Sequence, residues 1–155
     1  MNLPRRINAD DPRLADVLAL IRRSFAYMDG RIDPPSSMHR LTVDRMKDHC
    51  EAGGEIWAAG SPPVACIFLT PKADCLYLGK LAVDQAYRGS GLARQLVDLA
   101  ARRTSDLGLP ALELQTRIEL VENHRAFARL GFVKTAESSH PGHNRVTDIT
   151  MRMTL

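Results

Sequence analysis

A chain of 155 residues with 45% apolar and 25% charged residues has the size and balance of one globular domain with its own core. The net charge of +3 is mildly basic, but the cations are scattered and aromatic residues are only 5%, which argues against a nucleic-acid surface and is met by a small anionic ligand. No apolar run nears the ~20 residues of a membrane span, the start MNLPRRINADDPRL lacks a signal-peptide apolar region, and Cys50, Cys66 and Cys75 lack C-x-x-C spacing, so reduced thiols in a cytoplasm are expected instead of a metal site or a disulfide framework.

In chain order, Leu3 to Ile7 reads as a short first strand, with Pro4 confining it to a sheet edge or strand start. Asp10-Asp11-Pro12 signals a helix start. Leu14, Val17, Leu18, Ile21 and Phe25 follow at helical spacing, which predicts a helix over residues 11–26. Arg31-Ile32-Asp33-Pro34-Pro35 is a loop. Ser36 or Ser37 caps a second helix, with Leu41, Val43, Met46 and Cys50 as a weaker apolar side, and Gly53-Gly54 stops it.

The period then changes from helix to strand. Glu55 to Ala59, Val64 to Thr70 and Leu76 to Val83 read as an antiparallel meander, turned at Gly60-Ser61-Pro62-Pro63 and Pro71-Lys72-Ala73-Asp74. Leu92, Leu96, Leu99 and Ala100 stripe the next helix, which ends at Gly108-Leu109-Pro110. Ala111 to Thr116 is a strand and Leu120 to Leu130 a helix stopped by Gly131. Two last strands, Phe132 to Ala136 and Val146 to Thr154, flank a polar loop with His140-Pro141-Gly142-His143. The order β-α-α-β-β-β-α-β-α-β-β makes residues 1–155 a single mixed α/β domain of α+β type.

The distinctive chemistry sits at Arg88-Gly89-Ser90-Gly91-Leu92-Ala93, where flexible backbone meets a helix start. The first N–H groups of a helix are unpaired and carry partial positive charge. Small residues let a phosphate approach them, and Arg88 and Arg94 add fixed cations. A pyrophosphate is the ligand this corner suits. A P-loop would need Lys and Ser/Thr after the second glycine, where Leu92-Ala93 stands. A dinucleotide fingerprint would need glycine or alanine where Arg94 stands, and a βαβ unit where the meander comes first.

The stretch resembles the acyl-CoA site of the GNAT superfamily of N-acyltransferases, with its pattern Q/R-x-x-G-x-G/A. The strand end Leu81-Ala82-Val83, Tyr87, and the later Asn123 and Phe127-Ala128-Arg129-Leu130-Gly131-Phe132 agree with it. The resemblance implies a mixed sheet of about six to seven strands flanked by about four helices. It implies acetyl-CoA as co-substrate and no metal. Backbone N–H groups from Arg88 through Gly89, Ser90, Gly91 and Leu92 to Ala93 would take the pyrophosphate. Leu81 and Val83 would pair with the pantetheine arm through their backbones, and a free N–H near Leu81 would polarise the thioester carbonyl. Asn123 would touch the pantetheine arm, although asparagine is also an ordinary residue at a helix start.

The catalytic groups are less sharply marked. Family members often carry a tyrosine as acid where this chain has Phe127, which has no proton to give and packs either against the thiol end or into the core. As the base that deprotonates the amine, Glu113, Tyr77 and His140 are the candidates, with His143 in the same loop as His140. Glu113 qualifies if its carboxylate turns inward, whereas simple alternation would turn it to solvent. Tyr77 is otherwise a packing residue of its strand, and His124 a helix-surface residue. Tyr27 to His39 is expected to wall the acceptor site, its mixed charges favouring neither a strongly acidic nor a strongly basic acceptor.

The function expected is transfer of an acetyl group from acetyl-CoA to a primary amine of a small molecule. The partner is thus a small amine, with no nucleic acid and no membrane, and a homodimer is possible. The alternatives are acetylation of a protein N-terminus or lysine, and an acyl-CoA-binding sensor without catalysis.

Overall fold

The computed structural model describes residues 3–155. Seven strands form one sheet: β1 (Arg5–Arg6), β2 (Glu55–Ala59), β3 (Ala65–Pro71), β4 (Leu76–Val83), β5 (Ala111–Arg117), β6 (Val133–Ser138) and β7 (Asp148–Thr154). Their spatial order is β1-β2-β3-β4-β5-β7-β6. Helices α1 (Leu14–Phe25) and α2 (Val43–Glu51) cover one face. Helices α3 (Leu92–Asp106) and α4 (Val121–Arg129) cover the other. The seven strands and four helices are those expected, and no helix among the described residues is long and apolar enough to cross a membrane.

Because both faces are covered, the interior strand β3 is apolar on both sides. Ile67 and Leu69 point to the α3 side with Leu76, Leu78, Leu96, Leu112 and Leu114. Cys66 and Phe68 point to the α1 side with Val17, Ile21, Met46 and Ile56. The cysteines are free, and Cys66 is fully buried, which pushes its thiol up to about 12. Glu55 at the start of β2 is also buried, yet it is held below the ordinary glutamate range. Burial alone would raise it, but the Arg103 guanidinium of α3 at 2.7 Å and the Trp57 indole at 2.9 Å outweigh that.

Several element boundaries differ from the sequence reading, among them the start of the first helix, which lies at Leu14 in place of residue 11. The second helix splits in two: Ser36 caps only the 3-10 turn Ser37–Arg40, and Thr42 caps α2 by accepting from the Arg45 N–H at 3.2 Å. Extended backbone at Leu41 and Thr42 separates the pieces. The first strand shrinks to two residues paired with Trp57 and Ala58, since Pro4 has no N–H to extend the ladder. The last strand begins at Asp148, although the Thr147 backbone still donates to Ser138 O at 3.0 Å and accepts from the Ile118 N–H at 2.9 Å.

One irregularity shapes everything that follows. Strand β4 pairs with β3 along its whole length, and β5 pairs fully with β7. Between β4 and β5, however, parallel pairing covers only Leu76–Leu78 against Leu112–Leu114. The β4 register shifts opposite Phe68 and Leu69, leaving Gly79 as the extra residue of a bulge. Beyond it the two strands diverge, and the β4 edge from Gly79 to Val83 faces a gap instead of a strand.

Candidate active site

That gap is one end of a cleft of about 840 Å³. Its lining includes β4 from Tyr77 to Val83 and β5 from Leu114 to Arg117. Arg88 and Ala93 stand at one end of it, α4 forms a side wall, and the Tyr27–Arg40 segment with His140 forms the other.

The glycine turn provides donors at the mouth. Gly89 and Gly91 have φ of +81° and +86°, conformations that other residues adopt only under strain, and a Cβ at either would meet nothing within 4 Å. The turn is therefore open on its outer side. The N–H of Arg88 bonds Gln85 O at 3.3 Å and that of Ser90 bonds Tyr87 O at 3.2 Å, so these two are used within the turn. The Ser90 hydroxyl also donates to Tyr87 O. The N–H groups of Gly89, Gly91, Leu92 and Ala93 have no partner among the described residues, and Gly91 caps α3 without a side-chain bond. Of the six residues expected to offer backbone donors, four can do so. The Arg88 side chain lines the cleft beside them.

Leu81 and Val83 lie on the unpaired β4 edge, where free backbone groups need a partner. Asn123 lies inside the first turn of α4 and does not cap it; its Nδ2 donates to the Tyr27 hydroxyl at 3.2 Å across the cleft. Phe127 lines the cleft and packs edge-on against Phe132, with ring centroids 5.8 Å apart. It joins the core and the cleft at once.

The base candidates separate. Glu113 does not line the cleft. It sits where β4 and β5 are still paired, opposite Arg152 of β7, and accepts from that guanidinium at 2.6 Å. The inward orientation is thus corrected: no gap exists at that point of the sheet. Tyr77 does reach the cleft, but burial pushes its phenol up, which keeps it protonated and suits it to donate a proton, not to accept one. His143 does not line the cleft, and His124 is half-buried, its Nε2 bonded to Arg117 O at 2.8 Å.

His140 lines the cleft, and its Nδ1 lies 2.7 Å from Oδ2 of Asp148 and 2.8 Å from the Thr147 hydroxyl. Asp148 is buried and also receives the Thr147 hydroxyl at 2.7 Å. Arg117 stands 3.7 Å away from its other oxygen. A histidine held through Nδ1 by a buried carboxylate keeps Nε2 as its free proton acceptor. Asp148 was missed in the sequence. The signal was a carboxylate inside an otherwise apolar and threonine strand, Thr147-Asp148-Ile149-Thr150. Lys80 was missed likewise, as a lone cation in Leu76–Val83.

The outer wall is tied down from several sides. Arg117 donates to Pro34 O at 2.7 Å and Pro35 O at 3.0 Å. Glu119 accepts the Asp33 N–H at 3.1 Å, and Arg145 lies 3.5 Å from the Asp33 carboxylate. Arg31 pairs with Glu122 at 2.6 Å and His39 with Asp29 at 2.7 Å.

Residues 16–132 match the profile of the Acetyltransferase (GNAT) family. The chain belongs to that family. An L-2,4-diaminobutyric acid acetyltransferase of Streptomyces avermitilis is 33% identical over 117 residues, which cover 73% of this chain and 63% of that protein. The chain thus matches less than two thirds of the length of this relative. Among solved structures, the PaiA N-acetyltransferase of Thermoplasma acidophilum in complex with coenzyme A superposes with a TM-score of 0.79 at 13% identity, covering 100% of this chain and 99% of that one. A chain of the NatC complex bound to Gag peptide and CoA does so with 0.66 at 21% identity, over 100% and 99%. At such identities these two likenesses bear on the GNAT fold alone.

Proposed function

We propose that this GNAT protein transfers an acetyl group from acetyl-CoA to a primary amine of a small molecule. The observation that carries this is the splayed β4–β5 gap running into a glycine turn with four unpartnered N–H groups. A long ligand with a diphosphate at one end and an amide-bearing arm fits both features. Gly89, Gly91, Leu92 and Ala93 would hold the pyrophosphate, with Arg88 beside them. The free β4 edge at Leu81 and Val83 would pair with the arm as a strand does, and Asn123 would meet it from α4.

When bound, acetyl-CoA supplies a thioester carbonyl whose carbon a neutral amine attacks, with the C–S bond breaking and the sulfur leaving to be protonated. The protein's share is to remove a proton from the amine, to stabilise negative charge on the carbonyl oxygen and to exclude water. His140 Nε2 takes the proton, with Asp148 stabilising the imidazolium through Nδ1. A β4 N–H near Leu81, on the edge left unpaired beyond the bulge, would stabilise that oxygen. Phe127 cannot protonate the sulfur; Tyr77, kept protonated by burial, is the candidate donor.

Two features favour a small acceptor over a protein one. The Tyr27–Arg40 wall is fastened to β5 and the β6–β7 loop, which narrows the acceptor end. The diaminobutyrate enzyme from Streptomyces avermitilis also acts, by its name, on a small amine. The sensor reading, motivated by Phe127, is disfavoured by the His140–Asp148 pair in the same cleft. A cytoplasmic setting suits the three free thiols and an acetyl-CoA substrate. Thiol release from acetyl-CoA over a panel of amines, amino acids, polyamines and aminoglycosides tests the proposal: acceptor-stimulated release is expected. Binding with no turnover across that panel would return the sensor reading.

A further inference from the structure

The charges lining the cleft do not cancel. Two carboxylates line it, and each has a cation of the cleft beside it, Glu122 with Arg31 at 2.6 Å and Asp148 with Arg117 at 3.7 Å. The wall residues Asp29 and Asp33 are also engaged, with His39 and Arg145. Apart from Arg88 at the phosphate end, two cations remain with no carboxylate partner among the described residues: Lys80 and Arg40.

Both stand at the acceptor end. Leu81 and Val83 pack toward α3 and Ala82 toward α1, so alternation puts Lys80 on the α1 face with Ala82. Its Nζ donates to the Ser37 hydroxyl at 3.0 Å, which holds the ammonium under the same 3-10 turn that carries Arg40. Ser24, the last but one residue of α1, lines the same cleft, and its hydroxyl is buried without a partner. Lys80, Arg40 and Ser24 thus present two cations and one orphan donor to a space enclosed by the tied-down wall. Ser24 is the buried group left unsatisfied, which is costly, while Lys80 is half-buried with one bond to Ser37 and Arg40 is exposed at the rim; an anionic oxygen pair would take the free Ser24 donor and both cations.

We infer that Lys80 and Arg40 form a carboxylate subsite, so that the acceptor is a small amine that also carries a carboxylate, of the amino-acid class. This subsite presupposes the acetyltransferase activity proposed above and adds which amines are taken. Burial pushes the Lys80 ammonium below its ordinary range, with neighbouring Arg40 pushing the same way. A carboxylate seated between them would offset the repulsion between the two cations and favour the charged ammonium. Polyamines and aminoglycosides bring further positive charge to this end and are rejected by it.

The test compares acceptors that differ only in the carboxylate: 2,4-diaminobutyrate against 1,3-diaminopropane, and lysine against cadaverine. With the unaltered protein, kcat/KM is expected to favour the carboxylated member by about tenfold to a hundredfold, the worth of one charge-assisted hydrogen bond. Lys80→Met should collapse that ratio toward one, Arg40→Gln should reduce it less, and Lys80→Arg should restore part of it. Equal use of both members by the unaltered protein, or a ratio that survives Lys80→Met, overturns the subsite while leaving the acetyltransferase proposal intact. Failure to acetylate any amine overturns both. Calorimetric titration of each variant with acetyl-CoA shows whether a loss lies in the donor site instead, and a Lys80→Met loss confined to donor affinity also counts against the subsite.

Discussion

Where the phosphate end and the strand edge that would hold the donor lie on one run of chain, from Leu81 on β4 to Ala93 on α3, joined by Asn123 of α4, the acceptor wall is assembled from pieces far apart in sequence. Arg117 reaches Pro34 across 83 positions, and Arg145 reaches Asp33 across 112. The donor wall works through backbone: unpaired N–H groups in a glycine turn and a strand edge exposed by splaying. The acceptor wall works through side chains that meet only after folding. A backbone site of this kind tolerates many side chains but few conformations, whereas a side-chain site depends on each partner.

The sharpest way to break the donor side is Gly91→Glu. It forces a side chain onto a residue at φ +86° and puts an anion into the phosphate seat, so acetyl-CoA affinity should fall by about 10³-fold from lost charge-assisted bonds. Gly91→Ala separates the causes, since it keeps the seat neutral and adds only backbone strain of about 1–2 kcal/mol. If calorimetry finds both variants with unaltered affinity, the turn is not the phosphate site.

On the acceptor side, His140→Ala should lower kcat/KM by about 10²-fold, as removal of a general base does, with acetyl-CoA affinity retained. Asp148→Asn should cost about tenfold, because the ring loses its orienting carboxylate but keeps its free nitrogen. The pH–rate profile distinguishes catalysis from packing: loss of His140 should flatten the limb on which activity rises with pH. A profile of unchanged shape would remove His140 from the chemistry.

Arg103→Met asks whether the donor helix can be weakened without touching either wall. It leaves the buried Glu55 carboxylate unpaired, which should cost about 3 kcal/mol by denaturant unfolding. The pH dependence has a definite sign. Glu55 is held below its unfolded value of 4.5, so its contribution is present above that pH and is lost as pH falls through the lower folded value. The variant should therefore lose less stability than the parent as pH falls below 4.5. An unchanged acid dependence would show that the pair does not carry it.

The smallest effect is expected at Arg145→Gln, which cuts a tie between exposed groups. Such pairs are worth up to about 1 kcal/mol, so acceptor KM should rise no more than about fivefold with the donor KM unmoved. A rise in donor KM instead would mean that the two walls are coupled.

The same contrast explains what could be read from the sequence. The glycine turn was legible because Gly89 and Gly91 are needed for their φ values at fixed spacing before a helix, a local constraint written locally. The element order was legible from periodicity, and the seven strands and four helices followed. The orientation of Glu113 was left open because a sheet covered on both faces gives alternation no polar side to mark, and nothing local says where β4 and β5 part. The split of the second helix was hidden because Ser36 and Thr42 are equally good caps. Asp148 and Lys80 acquire meaning only from partners on other elements, His140 and Ser37, that local pattern cannot supply.

The most direct measurement is isothermal calorimetry of acetyl-CoA binding to the unaltered protein and to Gly91→Glu, followed by thiol release on adding the amine panel. Saturable binding at one site, abolished by Gly91→Glu, with release that depends on an amine, is the predicted result. No binding by the unaltered protein, or binding that Gly91→Glu leaves intact, would contradict the assignment of the β4–β5 cleft as the acetyl-CoA site.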